Sequence, residues 1–314
     1  MFSRRDALKM IAALGLGSTA LSSYAVAESF GGSVTHYSLT PPGWTPGLSL
    51  RLAVIADIHA CDPWMSVARI DRIVEQTNAL GADAILLLGD YVVGRRLGKL
   101  STAISAGSWA TSLANLKAPL GVHAVLGNHD WWDQLEVQKR RSGPTRAGLA
   151  LKAVGIPVYE NDVLRLEKNG KAFWLAGLGD QWAFWPRRSD YDDFVRGGKV
   201  GYIGVDDLPG TLAKITDDAP VVLMAHEPDI FPRVPERVSL TVSGHTHGGQ
   251  VRIFGYTPVV PSRFGSRYAY GHKVEDGRNL IVSGGLGCSS LPLRFGSPPE
   301  IVVIDLGQEG NGTA

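Results

Sequence analysis

The feature that most constrains this chain is a recurring pair, an apolar run followed directly by polar residues able to bind a metal. Runs such as 48–55 and 84–88 are apolar almost throughout, which is typical of strands buried on both faces. In open α/β sheets, ligands bind beyond the carboxyl ends of the strands. The pattern therefore predicts one site built from several strand ends. The polar residues after the five runs are Asp57 with His59, Asp90, Asn128 with His129 and Asp130, His226, and His245 with His247.

Each of these residues has a simpler interpretation when it is taken alone. Asp90 follows a glycine and would suit a turn, Asn128 would suit a turn or a cap, and Asp130 would suit a helix N-cap. A single histidine is more often structural than a metal ligand, although histidine is the commonest side-chain ligand. Coincidence at five successive strand ends favours the joint interpretation, a metal site.

Hydrophobic periodicity predicts the order of the elements. Helical spacing follows the first two runs, over about 66–80 and 102–116. After residue 157 the pattern is rich in strands, with one helix predicted near 208–215 and strands over 250–254, 279–283 and 300–305. βαβ units followed by strands indicate an α/β protein with two mixed sheets packed face to face and helices outside.

Composition bounds the domain organisation and the partners. The 314 residues are 44% hydrophobic and contain no linker or low-complexity tract that divides the middle, which favours one large domain. Lys and Arg total 31 against 30 for Asp and Glu, so no basic excess indicates a nucleic-acid binder. Two cysteines, Cys61 and Cys288, are too few for a disulfide scaffold or a four-cysteine zinc site, and whether they pair stays open.

The first 27 residues have the pattern of an export signal. Arg4 and Arg5 precede the apolar run 10–21, and Ala25-Val26-Ala27 fits a cleavage site. The run is shorter than the ~20 residues that a membrane-spanning helix needs. The segment resembles a twin-arginine signal, which predicts recognition by the twin-arginine export machinery and a periplasmic or extracytoplasmic location, with membrane anchoring if the signal is not cleaved. An amphipathic first helix is the alternative, and the predicted domain is 28–314.

The motif set resembles that of the calcineurin-like metallophosphoesterases. The matching stretches are Asp57-x-His59, Gly89-Asp90, Gly127-Asn128-His129-Asp130, His226 and Gly244-His245-Thr246-His247, in the family's order. The string Gly244 to Gln250 and the later stretches 285–292 and 298–300 resemble in particular an exported phosphodiesterase branch. The resemblance implies a four-layer αββα sandwich that holds two metal ions.

The resemblance also implies a role for each motif residue. Asp57, His59, Asp90 and His247 would bind one ion, while Asp90, Asn128, His226 and His245 would bind the other. A mixed nitrogen and oxygen set suits Mn, Fe or Zn better than Ca or Mg. A hydroxide bridging the ions would attack the phosphorus in line. His129 would contact the phosphate or protonate the leaving oxygen, and Asp130 would orient the His129 ring.

Substrate contacts are expected from two stretches between and after the motifs. The loop 180–188 combines aromatic and basic residues, so it predicts either a lid over an organic group or a surface loop that packs on helices. A second predicted contact is the cation of the stretch 291–295. The predicted substrate contacts are Trp182, Trp185, Arg187, Arg188 and Arg294.

The leading hypothesis is therefore a binuclear hydrolase of phosphodiester or pyrophosphate bonds, acting on a small or lipid-linked substrate. A phosphomonoesterase is the enzymatic alternative. A non-catalytic metal-binding scaffold is the alternative from another class. The oligomeric state is not readable from the sequence.

Overall fold

The computed structural model describes residues 23–186 and 201–307 of the chain. Two sheets of five and six strands make up most of the fold, and a two-stranded ribbon lies beside them. The strands are β1 (Ser33–Leu39), β2 (Leu50–Ile55), β3 (Cys61–Asp62), β4 (Ala84–Leu87), β5 (Thr102–Ala103), β6 (Val122–Ala124), β7 (Asp162–Lys168), β8 (Lys171–Gly177), β9 (Val221–Met224), β10 (Leu240–Ser243), β11 (Gly271–Glu275), β12 (Arg278–Val282) and β13 (Glu300–Leu306).

The helices are short and connect the strands or follow their ends. Side chains cap several of them: Ser66, for example, accepts a hydrogen bond from the Arg69 N–H at the start of the second helix. The helices are α1 (23–29), α2 (Val67–Ala79), α3 (Ala106–Leu113), α4 (Asn128–Trp132), α5 (Leu135–Arg140), α6 (Arg146–Ala153) and α7 (Leu208–Leu212).

Both large sheets are mixed. The first has the strand order β1-β13-β2-β4-β6, in which β2, β4 and β6 are parallel. The second has the order β11-β12-β10-β9-β8-β7, in which β8, β9, β10 and β12 are parallel. Parallel neighbours end at the same edge of their sheet, so the loops after β2, β4 and β6 meet, as do the loops after β9, β10 and β12.

The two sheets pack face to face, and alternate residues of each strand face opposite layers. Leu52 and Val54 of β2 face the second sheet in a buried cluster with Met224 and Val242. The intervening Ala53 and Ile55 face α2 and α3. A third cluster covers the other face of the second sheet, with α7 and the 3-10 turn Pro228–Arg233. The predicted four-layer αββα sandwich is confirmed.

Most predicted elements are present with shifted ends, and one strand prediction is wrong. The helix predicted over 102–116 is only Ala106–Leu113, because Thr102–Ala103 pairs with Cys61–Asp62 as a strand. The strand predicted over 250–254 is absent. There the chain turns back on itself, because Ile253 and Tyr256 exchange N–H···O bonds of 2.9 Å and Phe254 adopts a left-handed φ of 48°.

No helix within residues 23–186 and 201–307 is both long enough and apolar enough to cross a membrane.

Candidate metal centre

A first group of ligand atoms comes from the turn after β2 and the turn after β10. Asp57, His59 and His247 are all buried and offer atoms that lie within 4.8 Å of one another. The Nε2 atoms of His59 and His247 lie 3.1 Å apart, and His247 Nε2 lies 3.5 Å from Asp57 Oδ1. Two imidazole nitrogens at this separation can both reach one ion, because metal–nitrogen bonds are about 2.0–2.1 Å long.

A second group comes from the turns after β4, β6, β9 and β10. Asp90, His226 and His245 again offer atoms within 4.8 Å of one another. The amide oxygen of Asn128, at the start of α4, lies 3.2 Å from His226 Nε2 and 2.8 Å from His245 Nδ1. The strand ends of both sheets therefore contribute to this group.

Asp90 lies between the two groups. Its Oδ2 atom is 3.6 Å from His59 Nε2 and 3.4 Å from His226 Nε2, so one carboxylate oxygen faces both. Burial by itself would raise the pKa of Asp90, but His226 and His129 outweigh it and hold that pKa well below the usual range. The carboxylate is thus kept ionised in a position where it could bridge two cations.

Backbone carbonyls fix the orientation of two histidine rings. His59 Nδ1 lies 2.8 Å from the Val92 carbonyl, and His226 Nδ1 lies 2.6 Å from the Leu88 carbonyl. Donation from Nδ1–H leaves the Nε2 lone pair of His59 for a metal. Burial alone would lower the pKa of His226, but Asp90 outweighs it and raises that pKa well above its usual range, so a metal would have to displace a proton from this ring. Burial lowers the pKa of His59 to about 4 and that of His245 to about 3, so both rings are neutral near pH 7. A neutral imidazole is the form that binds metals.

The donor set fits transition-metal ions, by its chemistry and by its electrostatics. Imidazole, carboxylate and amide donors converge here, and such mixed sets suit Mn, Fe or Zn. Burial raises the pKa of Asp57 to about 7. A cation bound there would favour the ionised carboxylate, so metal binding would remove an electrostatic penalty that the metal-free protein carries.

Most of these ligands have an unusual backbone. Left-handed φ angles are uncommon outside glycine and cost about 1–3 kcal/mol each. Such angles let a turn direct successive side chains into one cleft. The left-handed backbone of these residues is therefore explained by the site that they form. The ligands with positive φ are Asp57 (55°), His59 (48°), Asp90 (57°), His245 (70°) and His247 (53°).

Gly127, directly before Asn128, is required by close approach. A Cβ atom added there would lie 2.4 Å from Asp90 Oδ1 and 2.6 Å from His226 Cε1, which real structures do not tolerate. The glycine of the predicted Gly-Asn-His-Asp motif thus lets the β6 turn lie against two metal ligands.

His129 lies at the cleft, where its ring offers a nitrogen within 4.8 Å of ligand atoms of His59 and Asp90. Its Nε2 is 4.0 Å from Asp90 Oδ2, and its side chain is 17% exposed. The ring meets that of His59 edge to face at 4.9 Å. Burial lowers the pKa of His129, so its neutral form predominates at pH 7. Its place beside Asp90 suits a group that contacts a substrate held at the metals.

Asp130 acts on the backbone rather than on the His129 ring. Its Oδ2 accepts the N–H groups of Asp90 and Gly127, each at 2.9 Å, and its Oδ1 accepts that of Tyr91, also at 2.9 Å. Asp130 was predicted to orient the His129 ring, but its carboxylate binds backbone N–H groups instead. Asp130 holds together the turns that carry Asp90 and Asn128, and it is a positioning residue.

An aromatic wall closes one side of the cleft, whose cavity has a volume of about 430 Å³. Tyr202 stacks between Trp132 and Trp182, with ring centroids 5.0 and 4.7 Å away. Trp182 also meets His245 edge to face at 4.7 Å. Of the predicted substrate contacts, Trp182 and Trp185 line the cleft, while Arg187 and Arg188 lie outside the described residues.

Two exposed arginines line the same cavity and were not predicted. Arg95 and Arg96 follow the β4 turn, and the Arg95 guanidinium lies 3.9 Å from the centroid of the Trp185 ring. Their signal in the sequence is their place a few residues after Asp90. Arg95 and Arg96 thus supply the positive charge at the cleft that the sequence predicted for Arg187 and Arg188.

Arg294 is placed differently from the prediction. Its side chain is fully buried, and it donates hydrogen bonds to the carbonyls of Gly284, Gly285, Gly287 and Ser297. Its NH2 atom also lies 3.2 Å from His247 Nδ1. No surface is left for a substrate contact. Arg294 instead fixes the 284–297 loop and the back of a candidate ligand.

A buried pair of carboxyl groups lies behind the site and was also not predicted. Asp180 Oδ1 accepts the Trp182 N–H at 2.8 Å, and Glu227 Oε2 accepts the Gln181 N–H at 3.0 Å. Burial raises the pKa of both groups. Because Glu227 directly follows His226, the pair fixes the start of the aromatic wall relative to a candidate ligand.

Cys61 and Cys288 lie in one small buried cluster with Leu97, and both are free thiols in this structure. Burial raises the pKa of each thiol.

Comparisons with known proteins agree with this geometry. The family model of the calcineurin-like phosphoesterases matches residues 50–249. The chain is 28% identical over 271 residues to the metallophosphoesterase YkuE of Bacillus subtilis (strain 168), covering 86% of this chain and 82% of that protein. It is 27% identical over 322 residues to the phosphodiesterase YaeI of Escherichia coli (strain K12), covering 98% of this chain and all of that protein (100%).

Among solved structures, a dimetal phosphatase from Danio rerio is 14% identical, with a TM-score of 0.41, covering 76% of this chain and 88% of that chain. The family match spans the strand ends that carry every candidate ligand, from Asp57 to His247. The chain thus belongs to the calcineurin-like phosphoesterase family, and it is a metal-dependent hydrolase of phosphoric esters.

Proposed function

We propose that the protein hydrolyses a phosphodiester or pyrophosphate bond with two metal ions held side by side. The observation that carries the proposal is the position of Asp90, whose Oδ2 atom faces His59 on one side and His226 on the other. A single ion would need only one of the two groups. Asp57, His59 and His247 would complete one set, and Asn128, His226 and His245 the other, with Mn, Fe or Zn as the ions.

When bound, two such ions activate water for in-line attack and neutralise the phosphoryl oxygens. The chain's own residues then decide what is bound. Two carboxylates offset only part of the charge of two divalent ions, so the centre keeps a net attraction for a phosphate. Arg95 and Arg96 add positive charge at the cleft, and Trp182 with Trp132 offers apolar surface for an organic group.

A diester fits this cleft better than a monoester. The cavity of about 430 Å³ extends beyond the ligands to the aromatic wall, which gives room for an organic group beside the phosphate. One similar protein bears the name phosphodiesterase, which supports the same assignment. The substrate that we propose is a small or lipid-linked phosphoester.

The test compares a diester with a monoester on the same preparation. We expect protein loaded with Mn or Fe to contain close to two ions per chain and to hydrolyse bis-(p-nitrophenyl) phosphate faster than p-nitrophenyl phosphate. Chelation should stop turnover, and added metal should restore it. Faster monoester hydrolysis would establish the phosphomonoesterase alternative. Two bound ions with no turnover of either ester would establish the scaffold alternative.

His129→Ala should separate chemistry from metal binding. We propose that His129, protonated when an anionic phosphate lies beside it, donates that proton to the leaving oxygen, so the variant should keep both metals. General acid catalysis contributes about 10²–10⁴-fold, and a good leaving group such as p-nitrophenolate needs little of it. The loss of kcat/KM should therefore be larger for an alkyl diester than for the aryl diester.

Equal losses of kcat/KM on the two esters would instead assign His129 to electrostatic contact with the phosphate. That outcome is compatible with the neutral ring found here. Loss of a metal from the variant would contradict both roles.

We further propose that the protein is exported through the twin-arginine machinery. Residues 23–27, inside the predicted signal, begin helix α1, and the Ala25 carbonyl accepts the Arg294 N–H at 2.8 Å. Both residues of this hydrogen bond, Ala25 and Arg294, lie in the described part of the chain. Cleavage after Ala27 would remove it, whereas an uncleaved chain would keep it.

Changing Arg4→Lys together with Arg5→Lys should leave the protein in the cytoplasm, folded and metal-bound, because only the export signal is altered. Fractionation of cells and mass determination of the amino terminus check this. Export of the double variant at the normal rate would contradict the twin-arginine assignment. A conservative change at Arg51, in the body of the fold, is the control and should leave export unchanged.

A further inference from the structure

An apolar hairpin projects from the fold beside the cleft. It consists of residues 251–256, in which Ile253 and Tyr256 exchange two N–H···O bonds of 2.9 Å. Phe254 at its tip is 105% exposed, and Ile253 and Tyr256 are also exposed. An aromatic ring that an ordered turn holds fully exposed buries no apolar surface against the rest of the fold. Its exposure indicates a partner that the isolated chain lacks.

The apolar surface continues from the hairpin's neighbourhood toward the metal centre. A groove with a volume of about 380 Å³ is lined by Val251, Val259, Leu291 and Leu293. It shares residues with the cleft, among them His247 and Pro261. Val259 and Leu291 are themselves exposed. The exposed apolar residues thus reach from the hairpin to the mouth of the candidate active site.

The charges carried by the hairpin's own segment are positive, whereas helix α1 brings Glu28 to the base of the hairpin, where it accepts the Gly296 N–H at 2.9 Å. Between Glu236 and Glu275 the sequence contains no carboxylate, while Arg252 lies in the hairpin and Arg263 follows it. Asp229 lies beneath this segment, where it is buried and accepts the N–H of Arg263 at 2.8 Å. A surface that combines exposed apolar residues with flanking arginines is complementary to anionic lipid headgroups above an acyl layer.

The amino-terminal helix reaches the same region. The Tyr24 ring meets that of Phe295 edge to face at 5.7 Å, and Phe295 in turn pairs with Val251 at the base of the hairpin. Tyr24 and Phe30 are exposed. The sequence that precedes this helix contains the apolar run 10–21. The chain therefore enters the fold beside the hairpin, from a segment that is itself apolar.

We infer that the hairpin 251–256 docks the protein on an anionic lipid bilayer. Phe254 and Ile253 enter the headgroup and upper acyl region, Arg252 and Arg263 contact lipid phosphates, and the mouth of the cleft faces the membrane. The surface is independent of the chemistry at the metal centre, so its test uses binding rather than turnover.

The first experiment measures sedimentation of the purified full chain with vesicles of phosphatidylcholine containing 30% phosphatidylglycerol, about one lipid in three. Changing Ile253→Ser together with Phe254→Ser should lower the partition coefficient about 100-fold, because removal of each side chain from water is worth roughly tenfold. Val274→Ser is the matched control, since Val274 is 60% exposed on edge strand β11. It should bind as the wild type does. All three proteins should hydrolyse soluble bis-(p-nitrophenyl) phosphate equally, which shows that the fold is intact.

The second experiment reports insertion directly and does not depend on loss of binding. Phe254→Trp should add fluorescence that brominated lipids quench, whereas Val274→Trp should add fluorescence that they do not. Equal partition of the double serine variant and the wild type, or no added quenching from Phe254→Trp, would overturn the inference. A fall in molar mass of the double variant, measured by light scattering without vesicles, would identify a second copy of the chain as the occupant and would also overturn it.

Discussion

Asp90→Asn is expected to abolish binding of both metal ions and to lower kcat on bis-(p-nitrophenyl) phosphate by at least about 10³-fold. A loss of about that size is typical when a single electrostatic stabiliser is removed from an active site. Asp90 Oδ2 is the one described carboxylate oxygen that faces both His59 and His226, at 3.6 and 3.4 Å. An amide removes the negative charge, and in one rotamer it turns an N–H group toward the ions. The measurement is metal content after gel filtration, together with turnover.

Two further variants make this result specific. His245→Ala should lose chiefly one ion, because Asp57, His59 and His247 stay intact. Asp217→Asn, at an exposed ion pair with Arg165, should keep both ions and full activity. If Asp90→Asn retains two ions, the shared-carboxylate arrangement is wrong.

Arg294→Ala is expected to give the largest loss of stability among single changes near the site. Each hydrogen bond to a charged group contributes about 1.5–3 kcal/mol, and a buried acceptor left without its donor costs about 1–3 kcal/mol. The variant would leave the carbonyls of Gly284, Gly287 and Ser297 without their donor. His247 would also lose its contact at Nδ1. Chemical denaturation should show the lower free energy of unfolding, and metal content should fall.

The same variant decides between the predicted and the observed role of Arg294. Arg267→Ala, at an exposed ion pair with Glu275, should leave the free energy of unfolding almost unchanged and is the control. If Arg294→Ala leaves the free energy of unfolding unchanged and raises only KM, Arg294 contacts the substrate after all.

Local patterns predicted the sheets and the positions of the candidate ligands because both depend on short stretches of sequence. The run 50–55 is apolar on both faces, and a strand of that kind must lie between two layers. Its polar end then lies at the edge where the parallel strands β4 and β6 also end. Asp57 and Asp90 could therefore be expected to meet, although 33 residues separate them in the chain.

Partners that come from distant segments could not be predicted in this way. Asp130 holds the backbone of Asp90 and Tyr91, some 40 residues earlier, and nothing in its own neighbourhood distinguishes that role from a helix cap. Arg294 looked like a surface cation in its own stretch, but packing of the 284–297 loop encloses it. The hairpin 251–256 has strand-like composition, and only the left-handed turn at Phe254 shows that it reverses.

The left-handed backbone at Asp57, His59, Asp90, His245 and His247 has a consequence for how the protein chooses its ions. These torsions are set while the chain folds, so little conformational entropy remains to be lost when a cation arrives. Such a centre behaves as a rigid chelator, whose donors cannot spread to accept a larger ion. Calcium prefers oxygen ligands at 2.3–2.6 Å, up to about eight of them, so we expect this mixed nitrogen and oxygen centre to bind it weakly. We expect the affinities of the centre for Mn, Fe and Zn to differ less. The metal found in the protein should therefore follow the supply in the compartment where the chain folds.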